Sequence, residues 1–317
     1  MKPEVMRDIL IEEICQRMKE NDTIYFLSAD FGSPALDRLR GDFPDRFINV
    51  GIAEQNLISV AAGLGLEGYT VFAYAIAPFL TMRAFEQIRI SLALMAQTRE
   101  VNVNLIGVGA GLSYDVTGPT HHCLEDIALM RLLPNVSVVS PSDASFMSDI
   151  ATYAIFNKKP CYIRLDGKAL PRLYPPGSVP LFSDGFCSLR VGKKIGLVST
   201  GYMTHVALQV ADALNKEGCP IGVVDVFLLK NLNTEKIKSE LSTYEILITL
   251  EEGFIWRGGL DSLVASLTLS TKMPKPVYPL GFDDAYIFEV GDRKHLHGVA
   301  GLGVDRIVEQ IRDLNRQ

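Results

Sequence analysis

The sequence has little of what marks a membrane, secreted or nucleic-acid-binding protein. Its longest weakly charged region runs from Ile52 to Met82, and Glu54 and Glu67 break it. Neither uncharged piece reaches the roughly 18 residues of a spanning helix, so no membrane segment is expected. The five cysteines (Cys15, Cys123, Cys161, Cys187, Cys219) are scattered, odd in number and without CxxC spacing. That argues against a disulfide framework and for free thiols in a reducing cytoplasm. Lys and Arg number 31 against 37 acidic residues, and no basic cluster stands out. The net charge of −6 therefore speaks against nucleic acid as a partner. Met1-Lys2-Pro3-Glu4 leads straight into an acidic amphipathic stretch, so no signal peptide is expected. His295 and His297 lack Cys or carboxylate partners at ligand spacing, so no metal site is expected on the protein itself.

What is present suits two domains with real cores. Hydrophobic residues make up 48% of the 317 and charged residues 21%, the balance of a globular chain. Apolar spacing at Val5, Ile9, Ile14 and Met18 predicts a first helix over 4–20. Strand-like runs follow at 23–27, 70–74, 101–108, 136–139 and 161–165, with helix-like segments at 53–66, 79–97, 123–132 and 143–157. Strands alternating with helices predict an α/β fold whose largely parallel sheet is covered on both faces.

The proline-rich stretch from Pro171 to Pro180 interrupts this alternation. Prolines deny backbone donors and restrict their neighbours, so 171–182 reads as a linker between domains at 1–170 and 183–317. In the second domain, strands are expected at 194–200, 221–226, 245–250 and 276–280, helices near 203–217 and 299–315, and a further segment at 258–270.

Three segments carry chemistry. The first is Arg46-Phe47-Ile48-Asn49-Val50-Gly51-Ile52-Ala53-Glu54-Gln55-Asn56, which sets one carboxylate at the start of an apolar helix after a glycine turn. The second is Ala77-Pro78-Phe79-Leu80-Thr81-Met82-Arg83-Ala84-Phe85-Glu86-Gln87-Ile88-Arg89, and the third is Gly118-Pro119-Thr120-His121-His122. Taken alone, each has a plain structural reading. A glutamate in a first helical turn is favoured by the macrodipole, a Phe on an apolar stripe is core, and lone histidines are usually structural.

In this order, the three segments resemble the transketolase-like thiamine diphosphate enzymes. The resemblance covers essentially the whole chain and implies a pyrimidine-binding domain followed by a transketolase C-terminal domain. It implies that Glu54 hydrogen-bonds the aminopyrimidine N1′ and so activates the cofactor, which supplies the hard chemistry. Phe79 would stack on the aminopyrimidine, with Ile76 and Met82 completing an apolar cup. Ile76 is a departure, since that position is commonly aromatic in transketolases. Asp30 resembles an acidic residue near the thiazolium, and it equally suits a helix N-cap. His121 matches the histidine that faces the substrate carbonyl, where an imidazole can donate a hydrogen bond or shuttle a proton. His122 is a second candidate beside it.

The resemblance also has gaps. The family's Gly-Asp-Gly motif, which holds the diphosphate and Mg²⁺, does not occur in this sequence. That implies a partner: an N-terminal transketolase-like subunit carrying the diphosphate and Mg²⁺ site, in an α2β2 assembly with closed symmetry. On the substrate side, Thr117 stands where an Asp precedes the Gly-Pro-Thr-His, and Asp115 is close enough to substitute. Gly109 fills an upstream histidine position. The phosphate-binding arginine falls near Lys168 or Arg164, and a lysine offers a point charge rather than a fork. A specialised sugar or sugar derivative is expected rather than an ordinary pentose phosphate.

The activity implied is transfer of a two-carbon ketol unit between sugars. One alternative is the β subunit of a 2-oxo acid dehydrogenase E1 component, which also pairs with a diphosphate-binding chain. The other is a non-catalytic subunit that stabilises its partner.

Overall fold

The computed structural model describes residues 3–175, 177–192, 194–271 and 274–316. Met1, Lys2 and, within the linker, Pro176 lie outside the described residues. Two compact units are present. The first comprises Met1–Ala110, Leu129–Val139 and Asp143–Val179, and the second Gly111–Ala128, Ser140–Ser142 and Pro180–Gln317.

The strands of the first unit are β1 (Glu4–Val5), β2 (Ile24–Ser28), β3 (Phe47–Asn49), β4 (Thr70–Ile76), β5 (Val103–Val108), β6 (Ser137–Val139), β7 (Cys161–Leu165) and β8 (Ala169–Leu170). Within this unit, six of them pair in parallel in the order β6-β7-β5-β4-β2-β3. Every residue of β5 and β7 is buried, as befits strands covered on both faces. The first helix starts at Met6 rather than Glu4, because Glu4 and Val5 pair antiparallel with Leu170 and Ala169. Two elements absent from the sequence expectations also appear: a helix at Pro34–Asp42 and β3.

The expected helix over 79–97 is not one α-helix. It runs as a π-turn at Phe79–Arg83, a short α-turn at Phe85–Gln87, a second π-turn at Ile88–Leu94 and a closing 3₁₀ turn. The Thr81 hydroxyl donates to the Ala77 carbonyl at 2.8 Å, competing locally with the backbone ladder. π-Turns of this kind often accompany functional sites.

The second unit adds β9 (Phe186–Arg190), β10 (Ile195–Ser199), β11 (Gly222–Val226), β12 (Leu228–Lys230), β13 (Ile246–Phe254) and β14 (Val277–Phe282). Its sheet has the order β14-β13-β10-β11-β9, parallel except where β9 meets β11. Gly196 and Gly222 are register partners on β10 and β11, and a Cβ on either would overlap the ring of buried Tyr244. The helix Met203–Lys216 packs Met203, Val206, Ala207 and Val210 into the core of this unit, where they meet Ile248 and Leu250. The final helix begins at Val304, not 299. Gly301 takes φ +70 just before it, and a separate turn of helix occupies Arg293–Val299.

All five cysteines are free thiols, with Cys15, Cys123 and Cys161 buried. Burial pushes the thiols of Cys15 and Cys161 up, and burial together with Asp225 and Glu240 pushes Cys187 up to about 11. Thiolate is the reactive form. At neutral pH an aromatic disulfide reagent should therefore label the denatured chain at five sites. The folded chain should leave at least the three buried cysteines unlabelled.

Candidate active site

The site residues of the first unit lie on the segments that leave the carboxyl ends of its parallel strands, where crevices form in open α/β sheets. Asp30 follows β2, Glu54 follows β3, Phe79 follows β4 and Lys168 follows β7. The loop after β3 turns through Gly51 at φ +76, a conformation that glycine adopts without steric cost. Asn49 fastens this turn, its Oδ1 accepting from the amides of Gly51 (3.0 Å) and Asp30 (3.1 Å).

Asp30 does not cap a helix. It sits at φ +54 and accepts from Asn49 Nδ2 at 2.8 Å, while Ser33 provides the N-cap of the next helix. The capping alternative for Asp30 is thereby corrected. Asn49 holds the residue in the left-handed region instead.

Glu54 opens the helix Glu54–Leu66 and is only 3% exposed. A buried carboxylate needs a partner, and Arg83 supplies one, with Nη1 donating to Oε2 at 2.7 Å. The same guanidinium lies over the Phe79 ring at 4.9 Å from the centroid. Half of the Arg83 side chain remains exposed, and its carbonyl accepts from Gln55 at 3.2 Å. Glu54 and Phe79 are therefore brought together through Arg83, a residue within the second motif for which sequence reasoning found no role. Phe79 and Ile76 are half-buried and Met82 is exposed. Lys168 is exposed, its amide donating to Asp166 Oδ1 at 2.8 Å.

The histidine segment belongs to the second unit. Asp115–Thr117 forms a 3₁₀ turn, Gly118 takes φ +86, and the His121 amide donates to the Gly118 carbonyl at 3.0 Å. His121 is half-buried with Nδ1 3.0 Å from Thr120 Oγ1. His122 is buried, and burial holds its imidazole below the usual histidine range despite the Asp115 carbonyl at 3.5 Å. Thr117 is exposed. Asp115 is buried, its two oxygens accepting from the amides of Val116 and Arg293, each at 2.8 Å.

Deeper in this unit, Glu252 on β13 is 3% exposed and meets both Arg293 and His297. Arg293 Nε donates to Oε1 at 2.7 Å, and its Nη2 completes the fork on Oε2. Burial by itself would raise the Glu252 carboxyl. The charge and hydrogen bonds of Arg293, with those of His297, hold it well below the usual carboxylate range instead. His297 thus has a carboxylate partner 45 positions away, beyond the reach of local spacing. Trp256 is not core: it is 53% exposed at φ +57.

Comparison with known proteins places this geometry in a family. Residues 3–172 match the transketolase pyrimidine-binding domain and residues 188–307 the transketolase C-terminal domain. The chain belongs to the transketolase family. It is 33% identical to one of the subunits of the apulose-4-phosphate transketolase of Actinobacillus succinogenes, over 98% of this chain and 99% of that one. A solved split-gene transketolase, described as an inactive β4 tetramer, is 32% identical, with a TM-score of 0.84 and 98% of each chain covered. Campylobacter jejuni transketolase shares the fold at 21% identity and a TM-score of 0.82. The match takes in 98% of this chain but only 47% of that protein.

Membership implies dependence on thiamine diphosphate, and the residues present fit its aminopyrimidine. A buried carboxylate and a half-buried aromatic ring share the Arg83 guanidinium, with Ile76 and Met82 on the two sides of Phe79 in the chain. Among the described residues, no helix is long and apolar enough to cross a membrane.

Proposed function

We propose that this chain is the C-terminal subunit of a split thiamine diphosphate-dependent transketolase, transferring a two-carbon ketol unit between sugars or sugar derivatives. The observation that carries this reading is Glu54, a carboxylate buried at the first residue of a helix and joined to Phe79 through the Arg83 guanidinium. The names of the Actinobacillus subunit and the split-gene transketolase, and their matching lengths, support it. On this reading, 1–170 is the pyrimidine-binding domain, 171–182 the linker and 183–317 the C-terminal domain. Diphosphate and Mg²⁺ are held by an N-terminal partner subunit in an α2β2 enzyme, a reading supported by the subunit name of the Actinobacillus relative and the split-gene name of the solved structure.

When bound, thiamine diphosphate supplies the ketol-transfer chemistry at its thiazolium ring. The tasks of this chain are to bind, orient and move protons. Glu54 would hold a hydrogen bond at the aminopyrimidine N1′. Phe79, flanked by Ile76 and Met82, would give the ring an apolar seat, and Asp30 would serve the thiazolium. Arg83, half-exposed, has room to withdraw and yield both Glu54 and Phe79. His121 donates to the substrate oxygen or returns a proton to it. His122, Asp115, Thr117 and Lys168 make up the substrate side.

The test is affinity isolation of the chain from its native cells, followed by assay of the complex with ketose donors and aldose acceptors. A stoichiometric partner with a Gly-Asp-Gly motif and a complex that needs added thiamine diphosphate are expected. A chain recovered alone and folded would overturn the split-enzyme reading. Co-isolation of a lipoyl-bearing acyltransferase would redirect it to a 2-oxo acid dehydrogenase.

A further inference from the structure

We infer that Glu252 and Arg293 are positioning residues for the reaction, fixing from the C-terminal domain the segment 111–123 that leads to His121. This rests on the ketol-transfer reading above and deepens it, because it gives the second domain a task in catalysis.

Two fasteners carry the inference. Glu252 Oε2 accepts from the Leu112 amide at 3.3 Å, at the base of the segment. There is no room between them: a Cβ at Gly111 would overlap the Glu252 carboxylate, and Gly111 holds φ +57. The second fastener is the Arg293 amide, which donates to Asp115 Oδ2 at 2.8 Å in the middle of the segment. This is the first residue of the helix Arg293–Val299, where the backbone N–H has no partner within the helix. Asp115 passes the constraint on, its other oxygen holding the Val116 amide and its carbonyl facing His122. At the base, where the two ends of the segment meet, Gly111 and Cys123 pair across a β-bridge and exchange both hydrogen bonds, at 3.1 and 2.9 Å. The loop with His121 is thus closed at its base, and its turn is tied down.

Glu252 and Arg293 are themselves held on several sides. The guanidinium makes its fork to the carboxylate, lies 3.6 Å from the Tyr202 ring centroid and is 5% exposed. His297 Nε2 meets Oε1 at 2.7 Å. A bidentate pair locked by packing can place a neighbouring backbone to within tenths of an ångström. The sequence alone separates Leu112 from Glu252 by 140 positions and Asp115 from Arg293 by 178.

The experiment uses the reconstituted complex with Glu252→Gln and Arg293→Lys, measuring kcat, KM, thiamine diphosphate affinity by calorimetry, and the histidine ring signals of the ¹⁵N-labelled chain. Misplacing a catalytic group by about 1 Å costs on the order of 10²-fold. The expected result is a fall of that order in kcat for Glu252→Gln, with cofactor affinity unchanged and the His121 and His122 signals shifted. Arg293→Lys keeps a cation on Glu252 and the backbone hydrogen bond to Asp115 but loses the fork, and is expected to show a smaller fall in kcat with the same histidine shifts. If Glu252→Gln fails to fold, Arg293→Lys decides by the same readouts. Unchanged kcat and unchanged histidine signals in a folded variant overturn the inference. Glu54→Gln, run alongside, separates the two ideas. If it too leaves kcat intact, the ketol-transfer reading fails, and if only the Glu252 and Arg293 variants are silent, the positioning role fails.

Discussion

Exchange of Glu54 for glutamine is expected to lower kcat of the assembled enzyme by about 10²–10⁴-fold, the range of a lost acid–base group. Glutamine keeps the size and one acceptor oxygen of the side chain, but it cannot hold the negative charge that a protonated ring nitrogen requires. The fold should survive the change. The partner of Glu54 is Arg83, whose side chain is 49% exposed and can turn to water when the carboxylate is gone. Thermal midpoint and assembly with the partner should therefore stay close to wild type while turnover collapses. The check is steady-state kinetics beside thermal melting of the same preparation. Activity within a few-fold of wild type would remove Glu54 from the chemistry, and with it the main support for the proposed function.

The second large effect falls on stability. Tyr244 lies across Gly196 and Gly222, register partners on β10 and β11, and its hydroxyl donates to Glu240 Oε1 at 3.1 Å. Burial raises this phenol above the usual tyrosine range, so the ring stays neutral at any working pH. Tyr244→Ala empties that slot and should cost about 3–5 kcal/mol, as for other large aromatic truncations. Gly222→Ala drives a methyl into the ring and should cost about 1–3 kcal/mol by overpacking. The two changes share one space, so the double variant should be less destabilised than the sum of the singles. Calorimetric melting of the three variants tests this, and simple additivity would mean that ring and glycines are not in contact.

Much of the fold was legible because buried parallel strands are continuous apolar runs, and 161–165 was placed to the residue. What escaped was short or polar. The helix Pro34–Asp42 buries few residues, though Ser33 and Pro34 form the cap and first-turn pair that could have revealed it. Thr234–Ser242 is likewise mostly polar outside, and Asn233 caps it through the Lys236 amide. The segment 79–97 looked α-helical because apolar periodicity does not distinguish α from π turns over so short a span. At the site, local motifs picked out Glu54 and Phe79, but the pairing of Arg83 with Glu54, 29 positions away, is not encoded in local spacing. The pairing of Glu252 with Arg293 and His297 was invisible for the same reason, since no local pattern links positions over 40 apart.

The π-turn at Phe79–Arg83 has a bearing on how this segment tolerates change. A π-turn is an α-helix carrying one surplus residue, and each residue of an α-helix advances the facing by about 100°. Residues before and after the turn are therefore out of phase with an uninterrupted helix, and two surfaces are addressed by one stretch of chain. Loss of a single residue there would leave the helical content almost the same while swinging Arg89 and Leu94 round to other directions. The number of residues between 79 and 88 thus sets which way Arg89 and Leu94 face, a constraint separate from the identity of Phe79 and Arg83 at the site.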